Sequence, residues 1–257
     1  MNVSSKALHH LIFVCLLSVC PLAAQAPDEK TETVAPPQTT SLRTLPHDVI
    51  DDFKHLPSRE SLWILGVGGA LALSVHPADK DVNGRLSDDH GTFKAGKVIG
   101  NTGTLVGASL LTLGIGKMTG SNATSHVALD ALRAIGESEA MLQTLKYTVR
   151  RERPDHSSGY AFPSGHSADT FAVAAVIGRH LSLKWSILAY SVSGYVAMSR
   201  LHDNVHYLSD VVFGAALGTA AGRNITRHGS SNFSLVPVVV PRGGGLTVQM
   251  RIGHGHS

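Results

Sequence analysis

The sequence contains a succession of long apolar segments that are rich in small residues and separated by short polar stretches with Gly, Pro or Asn. Residues 98–116 carry no charged side chain, and over residues 125–151 the apolar side chains recur at the spacing of one helix face. Glycine is abundant at 26 residues, whereas aromatic residues make up only 5%, a composition that suits closely packed helices. The sequence therefore predicts an all-α fold, a bundle of about six helices.

Local signals set the limits of these helices. The predicted helices span residues 61–75, 97–118, 125–151, 164–181, 185–200 and 204–226. Ser58 is suited to cap the first helix, and residues 77–96, rich in Asp, Gly and Asn, predict a loop after it. Pro154 disfavours helical geometry at Arg153, so we expect the third helix to end there or just before.

The last part of the chain changes period. Apolar and polar residues alternate over residues 246–252, and residues 234–240 are also apolar. This pattern predicts a short C-terminal β-hairpin with a turn at residues 243–245. Pro237 and Pro241 favour an edge position for it.

The N-terminus has the features of a secretory signal peptide. Lys6 precedes an apolar core at residues 11–20, and residues 22–26 supply a small-residue site for cleavage after Ala26. Both cysteines lie in this segment, so cleavage leaves a mature chain without cysteine. The predicted organisation is a signal peptide at 1–26, a flexible linker at 27–57, a helical domain at 58–228 and a hairpin tail at 229–257.

The predicted signal peptide and the apolar helices allow two interpretations of where the protein resides. Charged residues of the third helix, such as Asp130 and Glu137, are poorly suited to lipid contact. If the mature N-terminus is exported and six helices span a membrane, the loops after the third and fifth helices face the cytoplasm. We therefore expect an exported, periplasmic protein, with an integral inner-membrane protein as the alternative and peripheral or integral membrane association left open. The formal charge of +3 gives no nucleic-acid-binding footprint.

Two basic residues near the end of the third helix are suited to anion binding. Lys146 and Arg153 are about two helical turns apart and so share a face. A lysine supplies a point charge and an arginine a planar fork that matches phosphate oxygens. Taken alone, the pair also fits an ordinary basic helix end, because Arg150 and Arg151 extend a run typical of a solvated surface.

A second cluster opens the fourth helix. Ser164 follows a proline and is suited to cap the helix, whose free N–H groups form an anion site. Gly165 lets the backbone approach an oxyanion closely, and His166 lies in the first turn beside it. Taken alone, this cluster also fits a capped helix with a surface histidine.

The third cluster pairs a histidine with a carboxylate. His206 and Asp210 are four residues apart on the predicted sixth helix and therefore lie on one face. A carboxylate there can accept a hydrogen bond from Nδ1–H and leave Nε2 free to attack. Arg200, in the preceding turn, is placed to bind the same anion. Taken alone, the pair also fits an exposed His–Asp contact of small energetic worth.

Together, these residues follow one order on successive helix ends, which places the chemistry at one end of the bundle. The combined pattern KxxxxxxRP, PSGH and SRxxxxxHxxxD resembles the signature of the type 2 phosphatidic acid phosphatase / vanadium haloperoxidase superfamily. All three parts match without a departure, over residues 145–210.

The resemblance implies a role for each matching residue. It implies that His206 is the nucleophile, that Asp210 orients it, and that His166 protonates the leaving group. The phosphate-binding residues that it implies are Lys146, Arg153, Ser164, Gly165 and Arg200. It implies a metal-independent phosphatase that hydrolyses phosphate monoesters, whether soluble, lipid or isoprenyl phosphates, through a phosphohistidine.

Two other functions stay open at this point. A vanadium-dependent haloperoxidase uses the same pocket with vanadate as its cofactor, whereas the phosphatase needs none. A catalytically silent envelope protein is the third interpretation. The sequence predicts no metal site, since His254 and His256 are too few to form one.

Overall fold

The structure is a computed structural model that describes residues 50, 52, 56, 58–87, 93–227, 233–240 and 243–250. The predicted signal peptide at residues 1–26 and nearly all of the linker at 27–57 lie outside the described residues. The domain boundaries given above therefore stay predictions.

Six long helices form the bundle that the sequence predicts. Ser58 caps the first of them, because its hydroxyl accepts a hydrogen bond from the Ser61 amide at 3.0 Å. A single 3₁₀ turn, His76–Ala78, and two shorter helices complete the described helical part. In chain order, the helices are α1 (Arg59–Val75), α2 (Asp79–Leu86), α3 (Lys94–Ile99), α4 (Thr102–Met118), α5 (Asn122–Val149), α6 (Gly165–His180), α7 (Leu183–His202) and α8 (Leu208–Ile225).

The loop predicted for residues 77–96 is wrong, because this region contains helices α2 and α3. Pro77 occupies the first turn of the 3₁₀ helix, where its missing N–H is harmless. The Asp79 side chain then accepts hydrogen bonds from Ser209 on α8. These tertiary contacts outweigh the low helix propensity of Asp, Asn and Gly.

The single helix predicted for residues 97–118 is divided in two. Helix α3 ends before Gly100, and the Asn101 side chain caps α4 by accepting a hydrogen bond from the Gly103 amide at 2.9 Å. A Cβ at Gly100 would lie 2.4 Å from Val196 Cγ1 and 3.1 Å from His166 Cδ2. The break therefore brings the chain against α7 and α6 where a side chain does not fit.

Helices α6 and α8 form the centre of the bundle, and their backbones approach each other closely. Gly214, Gly218 and Gly222 form a stripe along the α8 face that meets α6. A Cβ at Gly218 would lie 1.8 Å from the Ala168 carbonyl oxygen, and one at Gly222 would lie 2.4 Å from the Ala172 carbonyl oxygen. Every residue of α8 except Phe213 is buried.

The outer faces of α1, α4 and α7 expose large apolar side chains. Examples are Trp63, Leu111 and Trp185, which are 67%, 72% and 56% exposed. Within the described part of the chain, one helical segment, Arg59–Leu86, is long and apolar enough to cross a membrane, and only 22% of its most apolar window is buried. This segment fits the membrane alternative better than a protein with no membrane contact.

Beyond the helices, β1 (Phe233–Val240) and β2 (Gly243–Met250) form an antiparallel pair in which Phe233 faces Met250. In this register the glycines at 243–245 lie in β2 rather than in a turn. The C-terminal hairpin and its packing on the bundle stay predictions.

The glycine stripe gives a test of the α6–α8 contact. Replacing Gly218 with Ala should lower the free energy of unfolding by at least about 1–3 kcal/mol, because the new methyl meets backbone that cannot rotate away. Gly66→Ala is the control, since a Cβ there has nothing within 4 Å. That change, in an exposed helix interior, should be neutral or stabilise by about 0.5–1 kcal/mol. Equal melting temperatures for the two variants would contradict the close contact.

Candidate active site

The residues of the three sequence clusters meet at one end of the bundle, where α6 and α8 begin and α5 and α7 end. Ser164, at the N-cap of α6, donates its amide hydrogen to the Asp210 carbonyl oxygen at 3.1 Å. One turn into α6, the Ser167 hydroxyl donates to the Val211 carbonyl oxygen at 2.9 Å. These hydrogen bonds fix the PSGH segment against the first turn of α8, so the two helix N-termini face one region.

His206 lies before α8 and not on it, which corrects the predicted helix at residues 204–226. Tyr207 is the N-cap of α8, and Asp210 is its third residue. The His206 ring is 3% exposed, and its Nδ1 lies 2.6 Å from the Ala161 carbonyl oxygen. Because a carbonyl only accepts, Nδ1 carries the hydrogen. In the neutral ring the lone pair is therefore on Nε2, which has no hydrogen-bond partner among the described residues.

Asp210 makes different contacts from those predicted. Its Oδ2 is 3.8 Å from His206 Nδ1 and accepts a hydrogen bond from the Tyr207 amide at 2.8 Å. Its Oδ1 accepts from Arg151 Nη1 at 2.6 Å. The Ala161 carbonyl thus holds the position predicted for the carboxylate. Asp210 acts on the ring through its charge, which partly offsets the lowering of the pKa of His206 by burial.

The three predicted cations lie at this end of the bundle, and Arg153 acts on the other two. Burial lowers the pKa of Lys146, and the neighbouring Arg153 lowers it further while Glu139 opposes the change. Burial also lowers the pKa of Arg200, with Asp203 opposing and Arg153 adding to the change. Lys146 and Arg153 both lower the pKa of His206. These mutual effects show that the predicted cationic residues are neighbours, and like charges held together favour a bound anion.

Ser164 Oγ and Arg153 Nε are among the buried polar atoms that have no hydrogen-bond partner within the described part of the chain. Ser164 occupies the N-cap position, but its hydroxyl makes none of the capping contacts that the sequence suggests. An unsatisfied buried donor costs about 1–3 kcal/mol. A Cβ at Gly165 would lie 3.7 Å from Lys146 Nζ. A bound oxyanion that accepted from both Ser164 Oγ and Arg153 Nε would satisfy them.

His166 lies in the first turn of α6 and contacts α3. Its Nε2 is 3.2 Å from the Lys97 carbonyl oxygen, so that nitrogen carries a hydrogen and Nδ1 is left for proton exchange. Burial, Arg200 and His206 lower the pKa of His166 from 6.5 to about 4. The ring is therefore neutral near pH 7 when no anion is bound.

Among the carboxyls that act on Lys146 are Asp169, which is buried, and Glu139, which is partly exposed. The Thr102 hydroxyl is 2.7 Å from Asp169 Oδ2 and 3.1 Å from Glu139 Oε1. One hydroxyl donates a single hydrogen, so it can satisfy both carboxyls only when one of them is protonated. Burial and Glu139 raise the pKa of Asp169, which fits this assignment. The remaining negative charge balances part of the positive charge at Lys146.

Sequence reasoning missed two residues of the site. Arg151, interpreted as part of a solvated basic run, bridges Asp210 and Asp79, at 2.6 Å and 2.7 Å, and stacks over the Tyr207 ring at 4.2 Å. Asp79 is 3% exposed and belongs to the region predicted as a loop. No local signal marks either residue, because the contacts join positions far apart in the chain.

His202 and Asp203, which lie inside the third motif, each make a contact in the structure. Asp203 forms an ion pair with Arg200. His202 stacks on Phe93 with ring centroids 4.2 Å apart. Among the described residues, no group of three or more His, Asp or Glu side chains is arranged to hold a metal ion.

The chain is similar to several known phosphatases. The PAP2 superfamily matches residues 154–232. A Mycobacterium tuberculosis decaprenylphosphoryl-5-phosphoribose phosphatase is 36% identical over 94 residues, which are 33% of this chain and 51% of that protein. A Porphyromonas gingivalis lipid A 1-phosphatase is 35% identical over 85 residues, 32% of this chain and 19% of that protein. The chain thus spans about half or less of these relatives.

Two further comparisons cover more of the related protein. The decaprenylphosphoryl-5-phosphoribose phosphatase of Mycolicibacterium smegmatis is 30% identical over 132 residues, 38% of this chain and 72% of that protein. The crystal structure of a transmembrane PAP2 type phosphatidylglycerolphosphate phosphatase from Bacillus subtilis has the same fold, with a TM-score of 0.55 and 23% identity over 64% of this chain and 93% of that one. From the motif residues, the helical bundle and these relatives together, it follows that the chain belongs to the PAP2 superfamily.

Proposed function

We propose that this protein hydrolyses phosphate monoesters through a phosphohistidine on His206. One observation carries the proposal: two unpartnered donors, Ser164 Oγ and Arg153 Nε, belong to the end of the bundle where Lys146 and Arg153 act on His206, whose free lone pair is on Nε2. This set matches the charge and the shape of a phosphoryl group, and it includes a nucleophile.

In the first step, Nε2 of His206 attacks phosphorus and the bond from phosphorus to the ester oxygen breaks. Lys146, Arg153 and Arg200 neutralise the negative charge on the equatorial oxygens, where charge accumulates in phosphoryl transfer. Ser164 Oγ and the Gly165 amide at the α6 N-terminus donate to the same oxygens. The leaving oxygen takes a proton from His166, so the product is an alcohol.

In the second step, water attacks phosphorus and the bond from phosphorus to Nε2 breaks. His166, left neutral by the first step, accepts a proton from this water. Inorganic phosphate is released, and both rings return to their starting states. The bound phosphate raises the proton affinity of His166 during turnover, because its negative charge offsets the repulsion from Arg200 and His206.

The substrate class that we propose is a lipid or isoprenyl phosphate. The named relatives act on lipid A, on a decaprenyl phosphate sugar and on phosphatidylglycerophosphate. Large apolar side chains exposed on α1, α4 and α7 give this protein a surface suited to lipid. We propose that the exported protein associates peripherally with the membrane through these faces, with the active-site end on the periplasmic side, because six spanning helices after an exported N-terminus would place that end in the cytoplasm.

The direct test measures hydrolysis of an aryl phosphate and of a long-chain lipid phosphate by the full chain, purified in mild detergent. Turnover should persist in EDTA, should be blocked by vanadate, and should vanish in His206→Ala. His126→Ala, which removes a histidine at the opposite end of α5 from Lys146, is the control. Full activity in His206→Ala would overturn the mechanism. Vanadate-dependent oxidation of halide without hydrolysis would favour a haloperoxidase, and no reaction of either kind would favour a silent protein.

A substitution at Ser164 tests binding of the phosphoryl group without changing the stability of the fold. Ser164→Ala should reduce kcat/KM by about 10²–10³-fold, the range for loss of one oxyanion donor, and should not lower the melting temperature, because the hydroxyl has no partner to lose. Ser167→Ala is the contrast: it removes the hydrogen bond to Val211 and should destabilise by about 1 kcal/mol with turnover retained. The reverse pattern would place the oxyanion elsewhere.

The low pKa of His166 predicts how stability depends on pH. The unfolded chain binds a proton at His166 below about pH 6.5, whereas the folded chain does so only below about pH 4. The folded state therefore loses stability as pH falls through this window. His166→Gln should melt with a smaller drop between about pH 7 and about pH 4.5 than wild type, measured by thermal denaturation. An unchanged drop would mean that His166 is not buried as described.

A further inference from the structure

A second carboxylate lies behind the pair formed by His206 and Asp210. Asp79, at the start of α2, accepts hydrogen bonds from the Ser209 amide at 2.9 Å and from the Ser209 hydroxyl at 2.6 Å. It also accepts from Arg151 Nη2 at 2.7 Å. All of its contacts thus go to the first turn of α8 or to the arginine beside it, although 130 residues separate it from Ser209.

Arg151 connects this carboxylate to Asp210. One terminal nitrogen, Nη2, donates to Asp79, and the other, Nη1, donates to Asp210 Oδ1 at 2.6 Å and to Ser209 Oγ at 2.7 Å. Although burial favours the neutral form, the contacts with Asp79 and Asp210 raise the pKa of Arg151 overall. The order of contact is therefore Asp79, Arg151, Asp210 and then the His206 ring at 3.8 Å.

The net charge of Asp79, Arg151 and Asp210, called the series below, determines the electrostatic potential at the His206 ring. Two carboxylates and one guanidinium leave one excess negative charge. When Nε2 forms its bond to phosphorus, Nδ1 keeps its hydrogen, and the ring becomes a cation. The excess charge stabilises that cation. Without Asp79, the guanidinium would cancel Asp210 and the series would be neutral.

We propose that Asp79 is a positioning residue for the phosphoryl-transfer reaction: by holding Arg151, it leaves the Asp210 side of His206 negative when the ring becomes a phosphorylated cation. This inference rests on the proposed function. Asp79 does not touch the substrate in this scheme and acts only through Arg151 and Asp210.

A purely structural role for Asp79 predicts a different result from a charge role. As a tie between α2 and α8, it would affect stability and leave the titration of His206 unchanged. As a source of charge, it must change the proton affinity of the ring. The charged groups that face His206 are Asp210 on α8, Lys146 on α5, Arg153 in the following loop and His166 on α6. All of them remain when Asp79 is replaced.

The test compares full-length wild type with Asp79→Asn, which keeps the size of the side chain and removes its charge. The pKa of His206 should fall, so the acidic limb of the kcat/KM profile should move to lower pH. kcat should fall on the order of 10- to 100-fold, as for loss of an outer partner of an oriented histidine, with KM little changed. Asp81→Asn is the matched control, because Asp81 lies in the same helix in an exposed ion pair with Arg85.

Arg151→Gln gives the opposite sign and a second route if Asp79→Asn does not fold. Removing the guanidinium leaves two negative charges, so the pKa of His206 should rise and the acidic limb should move to higher pH. The double variant Asp79→Asn/Arg151→Gln restores one negative charge and should return the limb toward its wild-type position. Shifts in the same direction for both single variants would overturn the proposal.

The titration of His206 is also measured without turnover, by NMR of the histidine ring nitrogens, with the His206→Ala spectrum giving the assignment. Wild type that hydrolyses nothing would count against the proposed function, while this titration would still decide the role of Asp79. A lower melting temperature in Asp79→Asn with an unchanged His206 titration would reduce Asp79 to a structural tie and overturn the inference.

Discussion

The backbone contact between α6 and α8 is the constraint on which the site depends. Three glycines on α8 meet carbonyl groups of α6, and at Gly218 there is no space for a methyl group. The hydrogen bonds from Ser164 to the Asp210 carbonyl and from Ser167 to the Val211 carbonyl continue this contact to the ends of both helices. Two helix N-termini, each with a partial positive charge, therefore point at the same anion site. Wider spacing would separate Ser164 from His206.

The charges at this end of the bundle are arranged around an anion. Repulsion acts among Lys146, Arg153 and Arg200. The charge of Arg200 is balanced by Asp203. The charge of Lys146 is balanced in part by Glu139 and Asp169. Arg151 is different, because both of its terminal nitrogens donate to carboxylates. The four basic residues of this region thus divide into three that can bind phosphate and one that organises carboxylates. The sequence pattern alone does not separate them.

Much of the site could be predicted from the sequence, because its motifs lie on helix ends whose positions local signals define. The six long helices and the Ser58 cap are confirmed, and the structure brings the eight predicted site residues together. The catalytic roles assigned to those residues stay predictions. What the sequence did not predict depends on contacts between distant segments. The local sequence predicts a loop at Asp79, and only the contacts with Ser209 and Arg151 show its place in the site.

The position of His206 also could not be predicted from the sequence, although the residues concerned are close together in the chain. The spacing of His206 and Asp210 matches one turn of helix, and nothing local indicates that α8 begins only after Tyr207. The carbonyl that contacts the ring belongs to Ala161, in a different segment. The apolar surface of α1, α4 and α7 is a further case, because apolar helices predict burial in a core or in lipid equally well. Only the packing shows which faces are left uncovered.

The contact between His206 and the Ala161 carbonyl has a consequence for how the site tolerates mutation. Whatever amino acid stands at position 161, the peptide group supplies the same oxygen, so no single codon change deletes the acceptor that fixes the ring tautomer. The position of this oxygen depends instead on the length and the backbone path of the loop between α5 and α6. An insertion or a grafted loop that moved this oxygen by one residue would disturb the nucleophile even with every motif side chain intact.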